Sequence, residues 1–284
     1  MDHKEIVYSD DKRRFNGSND TIFKRLFKNK EILCGYLEYF TGFIVKPEEI
    51  FETNIETKFS VKSKGIIMDL RFDVINNLNL NLEFQNEVNN EESFLRRLVH
   101  YVSVMHSEAY DSGSEYKESK LSVMVVFVNT DKTSINALTK FTMKDKYTEK
   151  ELNDLQIYII NIPKFINEYF NSKNKDDIIK LKLLDVLTTN DGSKYQNDEL
   201  KLTQKVEEAI NNMNKDAALR FEMLKAENYR VELLGQGREE GRKEGEKEKL
   251  DSIIKTMSKN GCSPEDISRL LDVELSYINE VLKQ

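Results

Sequence analysis

Acidic and amide side chains recur at alternate positions in two short stretches that are neighbours in the sequence. Asp69 lies in the first stretch, and Glu83 and Gln85 lie two residues apart in the second. Alternation of polar and apolar residues is typical of β-strands, and the Asn76-Asn77 pair between the stretches is typical of a turn. The sequence therefore predicts a β-hairpin with carboxylates on one face. Carboxylate oxygens are the ligands that Mg²⁺ prefers, so this face is a candidate divalent-cation site.

A simpler interpretation of the same pattern stays open. Antiparallel strands with one face in water carry polar residues on that face without any chemical role. Asp73 shares the face of Asp69, but it lies about 13 Å further along the strand at ~3.3 Å per residue. We expect Asp73 to be a surface residue or the partner of a basic side chain.

Composition limits the classes of protein to which the chain can belong. Its 284 residues are 39% hydrophobic and 33% charged, which suits one large domain or two smaller ones with a sizeable core. The net charge of -7 argues against a broadly basic nucleic-acid-binding surface, although it allows a local basic groove. Neither the two cysteines nor the three histidines show metal-ligand spacing. Without an apolar span or a secretory signal, we expect a cytoplasmic protein that does not enter membranes.

The elements around the hairpin follow from caps and periodicity. A capping signal at 18–20 predicts a first helix, a second helix ends near Gly42, and 51–61 is a possible strand. A helix from 91 to about 110 carries Arg97 at the edge of its apolar side. Strands at 121–128 and 155–162 follow, the second closed by Pro163. This order predicts an α/β or α+β sheet that is covered by helices.

The C-terminal part of the chain is predicted to be helical. Glycines interrupt the charged stretch 235–249, so it is a linker or a weak helix, and we expect a domain boundary there. We predict four segments: an irregular lead-in (1–17), an α/β domain with a helical end (18–234), the linker or helix (235–249) and a small helical tail (250–284). The tail resembles a helix-turn-helix, but Lys283 is the only basic residue of its last helix. This favours protein contact or self-association over DNA reading.

These residues resemble the PD-(D/E)XK nuclease superfamily, and more narrowly the bacterial Rpn-type recombination-promoting nucleases, which are also described as transposases. The motif that begins at Asn19-Asp20 and ends at Phe27 resembles the first helix of that family. Asp69 with Glu83-x-Gln85 resembles its active-site hairpin, with ExQ in place of the usual ExK. The helix and the segment that follow carry the remaining matches, which are Phe94, Arg97, Tyr101, Gly113 and Tyr116.

The resemblance implies a restriction-endonuclease-like mixed sheet and a metal-dependent DNA endonuclease. Asp69 and Glu83 would hold Mg²⁺ or another divalent cation, which activates water and neutralises charge on the phosphate. Gln85 would orient the water or the phosphate without supplying charge, and Arg97 would supply that charge. Asp20 would bind the metal indirectly or close the site; its alternative role is a helix N-cap.

Cutting both strands of DNA is simplest with two active sites, so the resemblance also implies a homodimer, with the C-terminal tail as one candidate for its contact. Two other functions stay open. Because Gln85 replaces a lysine, the chain could be a catalytically inactive module that binds DNA or protein. It could also be a helical interaction protein whose strands serve as a scaffold.

Overall fold

The computed structural model describes residues 13–52, 69–75, 78–108 and 120–283. Within these ranges the strands are β1 (Ile50–Glu52), β2 (Leu70–Val74), β3 (Leu78–Gln85), β4 (Leu121–Val128), β5 (Leu138–Lys144) and β6 (Glu151–Asn161). The helices are α1 (Asp20–Phe27), α2 (Lys30–Thr41), α3 (Glu91–Ser107), α4 (Ile162–Tyr169), α5 (Lys175–Thr188), α6 (Lys201–Lys215), α7 (Ala217–Lys259), α8 (Pro264–Leu271) and α9 (Leu275–Lys283).

The strands form one mixed six-stranded sheet in the order β1-β2-β3-β4-β6-β5. β2 and β3 pair antiparallel, with Leu70 opposite Leu82, as the predicted hairpin requires. β3, β4 and β6 run parallel, so their C-terminal ends meet at one edge of the sheet. The mixed sheet, its flanking helices and the helical C-terminal region confirm the predicted fold class.

Aromatic side chains fix α1 and α2 against one face of the sheet. The ring of Phe23 in α1 lies 5.2 Å from that of Phe84 in β3 and 6.0 Å from that of Phe127 in β4. Tyr36 of α2 lies 6.0 Å from Phe127 and donates a hydrogen bond of 2.6 Å to the carbonyl of Leu183. Such ring contacts stabilise the core beyond the burial of their area, by about 0.5–1.5 kcal/mol for each pair.

Helix α3 covers the opposite face of the sheet. Its buried side chains recur at helical spacing, at Phe94, Leu98, Val102 and Met105. They pack against strand residues that point to the same face, which include Met124, Val126, Val128, Ile157 and Ile159. The helix that follows the hairpin therefore lies on the side of the sheet that carries Glu83 and Gln85.

Local signals in the sequence set the ends of the first two helices. Asn19 caps α1, because its side chain accepts hydrogen bonds from the backbone N–H groups of Thr21 and Ile22. Gly42 ends α2 with φ of 79°, a left-handed conformation that glycine adopts without steric cost. Gly17 has a different role: its N–H donates a 2.7 Å hydrogen bond to the carbonyl of Leu187, so the backbone before α1 lies close to the end of α5.

Three features of the sheet differ from the sequence prediction. β5 was not predicted; it is an edge strand with mostly exposed side chains, so its apolar pattern is weak. β6 begins at Glu151 rather than 155, and Pro163 lies in the first turn of α4. Of the predicted strand 51–61, the structure describes only Phe51 and Glu52 in β1; the remainder, with Asn76, Asn77, Gly113 and Tyr116, lies outside the described residues.

The interpretation of the hairpin's polar face as a water-exposed surface is wrong for its central residues. Arg71, Asn79 and Asn81 are all buried, and Asn81 is only 1% exposed. Arg71 forms an ion pair with Glu108, beyond the end of α3. Polar groups in the interior are retained where they have partners or a function, so this face needs an explanation other than solvation.

The chain divides into two compact units, Met1–Arg220 and Phe221–Gln284. The glycine-spaced stretch 235–249 lies within α7, which is 43 residues long. Of the two predicted alternatives, a linker or a weak helix, this stretch is therefore helical. In the second unit, Ile254 of α7 packs with Ile267 of α8 and Ile278 of α9. Ser263 caps α8 and Pro264 occupies its first position, as the sequence predicts. In the part of the chain that is described, no helix is long and apolar enough to cross a membrane.

Candidate active site

The hairpin brings Asp69 and Glu83 together at the C-terminal end of β3. The backbone N–H of Asp69 donates a 3.1 Å hydrogen bond to Oε1 of Glu83. In return, the N–H of Phe84 donates a 3.3 Å hydrogen bond to Oδ2 of Asp69. The two carboxylates are therefore held by each other's strand, in a geometry that follows from the β2–β3 register.

Burial and a neighbouring charge disfavour the ionised form of Glu83. Burial is the larger cause and repulsion from Asp69 the second, and together they raise the pKa of Glu83 from 4.5 to about 7. A hydrogen bond of 3.0 Å from the amide of Asn81 to Oε1 opposes this shift. A bound cation would relieve the repulsion between these two partly buried carboxylates.

Lys24 of α1 supplies positive charge at this pair. Its Nζ lies 3.3 Å from Oδ1 of Asp69 and 3.0 Å from Oδ2 of Asp20. Partial burial lowers the pKa of Lys24, but the attraction of Asp69 and Asp20 outweighs it and raises the pKa above its ordinary value. Lys24 was not predicted to be a site residue, although it lies within the motif from Asn19 to Phe27 and one helical turn after Asp20.

Gln85 and Arg97 are joined across the hairpin and α3. Nη2 of Arg97 donates a 2.6 Å hydrogen bond to Oε1 of Gln85. The guanidinium also lies over the rings of Phe94 and Tyr101, 5.6 and 5.9 Å from their centroids. The amide nitrogen of Gln85 donates to the carbonyl of Glu87. Arg97 is thus bound to the hairpin through Gln85, and its positive charge opposes the upward shift in the pKa of Glu83.

Asp20 lies at the rim of the site and does not cap α1. The N-cap is Asn19, so the N-cap interpretation of Asp20 is wrong. The side chain of Asp20 is 67% exposed, and Lys24 connects it to Asp69. The structure therefore gathers Asp69, Glu83, Gln85 and Arg97 around the end of β3, with Asp20 joined to them through Lys24.

Comparison with known sequences assigns a family to this arrangement. The sequence model of a family described as PD-(D/E)XK nuclease family transposase matches residues 17–233. The chain belongs to this family. No curated protein and no solved structure matches the chain.

Membership of the PD-(D/E)XK family indicates a function related to nucleases and transposases. Nucleases of this family generally use divalent cations, and the donor atoms at the hairpin fit such an ion. The described residues contain no cluster of three or more histidine, cysteine or acidic ligands. At the hairpin, the carboxylates of Asp69 and Glu83 are the candidate ligands. Mg²⁺ is bound through one or two carboxylates in many proteins and keeps water in its other positions.

Proposed function

We propose that this protein is a divalent-metal-dependent endonuclease that hydrolyses phosphodiester bonds in DNA. The observation that carries this proposal is the close pairing of the partly buried Asp69 and Glu83, with the ammonium of Lys24 3.3 Å from Asp69. A carboxylate whose pKa is raised by burial and by repulsion from a neighbouring carboxylate, as at Glu83, is typical of functional sites. A purely structural hairpin gains nothing from such a pair.

Asp69 and Glu83 would hold Mg²⁺ or another divalent cation. The ion supplies a Lewis acid that activates water and neutralises charge on the phosphate. For this role both carboxylates must be ionised, and the N–H groups of Asp69 and Phe84 keep their oxygens in place. The binding of a cation and the loss of the Glu83 proton are therefore linked.

Lys24, Gln85 and Arg97 would each have a separate role in the reaction. Lys24 would bind a phosphate oxygen and stabilise the negative charge that grows during hydrolysis, because its ammonium reaches the carboxylates from α1. Gln85 would orient the attacking water or the phosphate by hydrogen bonding. Arg97 would hold Gln85 in position through their 2.6 Å hydrogen bond and add positive potential.

DNA is the proposed substrate despite the net charge of -7. The family description includes transposases, which process DNA. Lys24 and Arg25 of α1, Lys28 directly after it, and Arg97 of α3 would provide local positive potential around the site. Such focusing attracts a polyanion even to an acidic protein. The biological setting would be recombination or the processing of mobile DNA in the cytoplasm.

A homodimer would allow both strands to be cut by equivalent sites. The second compact unit offers exposed apolar side chains for contact, with Leu270 of α8 64% exposed and Leu275 of α9 partly so. Light scattering of the purified full-length chain measures this directly. A dimer mass that falls to that of a monomer in Leu270→Glu would support contact through this unit, and a monomeric wild type would reject the homodimer.

The function is tested by incubating the purified protein with supercoiled plasmid in Mg²⁺ and in EDTA, beside Glu83→Gln. We expect nicking or linearisation in Mg²⁺, none in EDTA, and 5′ phosphates at the new ends. An inactive wild type in both Mg²⁺ and Mn²⁺ would favour the non-cutting DNA- or protein-binding alternative. Equal activity of Glu83→Gln would show that the site is elsewhere.

A further inference from the structure

A second feature lies at the C-terminal edge of the parallel strands, next to the residues that follow β4 and β6. It is a cavity of about 540 Å³, which is within the range of roughly 300–1,000 Å³ that small-molecule sites occupy. We call it the asparagine cavity, after Asn129, Asn167 and Asn171 in its lining. Ile162 and Ile166 add apolar surface, and Phe170 stands at the exposed side, 73% accessible to solvent.

Hydrogen bonds connect the asparagine cavity to the active-site strand. The backbone N–H of Asn129 donates a 2.8 Å bond to the carbonyl of Gln85. Its side-chain amide donates a 3.3 Å bond to Oδ1 of Asn86. Two strand spacings separate β3 from β6, about 10 Å, and a nucleic-acid strand covers this distance in roughly three nucleotides. A strand whose scissile phosphate lies at Asp69 and Glu83 can therefore pass over the cavity.

The lining matches a nucleobase better than a phosphate. None of the described residues that line the cavity is charged, whereas phosphate sites usually contain Arg or Lys. The first turn of α4 lines the cavity, but Pro163 has no N–H and the N–H of Lys164 already donates to the side chain of Asn161, so this helix N-terminus offers few donors to a phosphate. In the part of the chain that the structure describes, the side-chain amides of Asn167 and Asn171 have no hydrogen-bond partner. Carboxamides bind base edges as donor and acceptor together. Exposed aromatic rings stack on unpaired bases with little dependence on their identity.

We infer that the asparagine cavity receives an unpaired nucleobase from the DNA strand near the scissile phosphate, with Phe170 stacking on it and Asn167 and Asn171 bonding its edge. This inference rests on the proposed DNA nuclease function. It names the substrate class as DNA with unpaired or extruded nucleotides, such as bulges, loops and single-stranded junctions. A base in a regular duplex cannot enter the cavity without first leaving its stack.

The test measures binding of full-length protein, in Ca²⁺, to two duplexes that differ only in whether a central 2-aminopurine is bulged or paired. We expect the bulged duplex to bind about tenfold more tightly and its fluorescence to be quenched by stacking. Phe170→Ala should abolish the preference and the quenching while affinity for the paired duplex stays unchanged. Phe170→Tyr, which keeps an aromatic ring, and Tyr147→Ala, which removes an aromatic that is 89% exposed elsewhere, should behave like wild type.

Equal affinity of the wild type for both duplexes, or an equal loss on both in Phe170→Ala, would overturn the inference while leaving the nuclease proposal intact. The plasmid assay distinguishes the other failure, since a wild type that neither cuts nor binds DNA rejects both proposals. Asn171→Ala gives an independent check, because it should weaken the bulged complex alone. Unchanged affinity of Asn171→Ala and Asn167→Ala for the bulged duplex would contradict the assigned edge contacts.

Discussion

The ammonium of Lys24 lies 3.3 Å from a carboxylate oxygen of Asp69, although one belongs to a helix and the other to the hairpin. The superfamily pattern ExK places a lysine two residues after the glutamate, where this chain has Gln85. Lys24 instead brings an ammonium to Asp69 from helix α1. The positive charge that Gln85 cannot supply is therefore present at the site in another element.

Replacing Lys24 by glutamine tests whether that charge contributes to catalysis. We expect DNA cleavage by Lys24→Gln to fall on the order of 100-fold, which is typical for the loss of one group that stabilises transition-state charge. The matched control is Lys28→Gln, four residues later at the C-cap of α1, where the lysine instead pairs with Glu52 at 2.7 Å. A similar loss in both variants would point to general DNA attraction rather than a specific role for Lys24.

The adjacent arginines of α3 provide a second matched pair. Arg97 binds Gln85, whereas Arg96 forms an exposed ion pair with Glu92 at 2.5 Å. Because Arg97 positions Gln85, Arg97→Gln should lower the cleavage rate by about 10–100-fold. Losses of this size are typical for groups that orient a metal-site residue without contacting the metal themselves. Arg96→Gln should remain within about twofold of wild type, since exposed ion pairs contribute little. Initial rates of plasmid nicking at saturating Mg²⁺ make the comparison; equal rates for the two variants would reject the positioning role.

The raised pKa of Glu83 predicts how the free energy of unfolding depends on pH in the absence of metal. Its folded-state pKa of about 7 exceeds the ordinary 4.5, so between these values the folded protein binds more protons than the unfolded chain. The free energy of unfolding therefore falls as the pH rises through this range, by about 3 kcal/mol at 1.36 kcal/mol per pKa unit. Glu83→Gln carries no charge at any pH, so its stability relative to wild type should increase from pH 5 to pH 8.

Urea unfolding in EDTA at several pH values measures this effect. A difference between wild type and Glu83→Gln that does not change with pH would contradict the raised pKa. Adding Mg²⁺ at pH 8 should stabilise the wild type, since ligand binding to the folded state raises the free energy of unfolding. The same addition should have little effect on Glu83→Gln. Equal stabilisation of both proteins would place the cation elsewhere.

Glycine-to-alanine substitutions should have opposite signs at two positions. At Gly17 a methyl group would lie 2.7 Å from the carbonyl oxygen of Leu187 and 2.2 Å from its Cδ1, so Gly17→Ala should destabilise the protein by about 1–3 kcal/mol. At Gly235, within α7, a methyl group would meet nothing within 4 Å. Gly235→Ala should stabilise the helix by up to about 1 kcal/mol. Thermal unfolding of each variant measures both effects; destabilisation by Gly235→Ala would argue against helix at that position.

Contacts that are local in sequence could be predicted, and contacts between distant elements could not. The alternation around Asp69 and Glu83 specifies a hairpin, and its register follows from pairing apolar residues on one face. The apolar spacing of Phe23 and Phe27 predicts a buried helix but not the strand on which it packs. The location of Lys24 depends on that choice, since the contact of Phe23 with Phe84 brings α1 beside the hairpin.

The other differences between prediction and structure have two causes: β5 lies at the edge of the sheet, and some polar residues have partners that are distant in sequence. β5 pairs only with β6 and exposes most of its side chains, so Leu138–Lys144 lacks the apolar alternation of a buried strand. The sequence pattern of Arg71, Asn79 and Asn81 is that of a water-exposed face, because nothing local shows that these side chains are buried or that Arg71 pairs with Glu108. The link between Gln85 and Arg97 likewise depends on how α3 packs after the hairpin.

The most direct test of the central claim compares two aspartates on the same face of one hairpin. Asp69 contacts Lys24 and the backbone of Phe84, whereas Asp73 lies opposite Asn79 near the other end of the strand pair. The measurement is the initial rate of supercoiled-plasmid nicking in Mg²⁺ by wild type, Asp69→Asn and Asp73→Asn. We expect Asp69→Asn to lose cleavage on the order of 100-fold or more, and Asp73→Asn to cleave at nearly the wild-type rate. Full activity in Asp69→Asn, or an equal loss in both variants, would contradict the central claim.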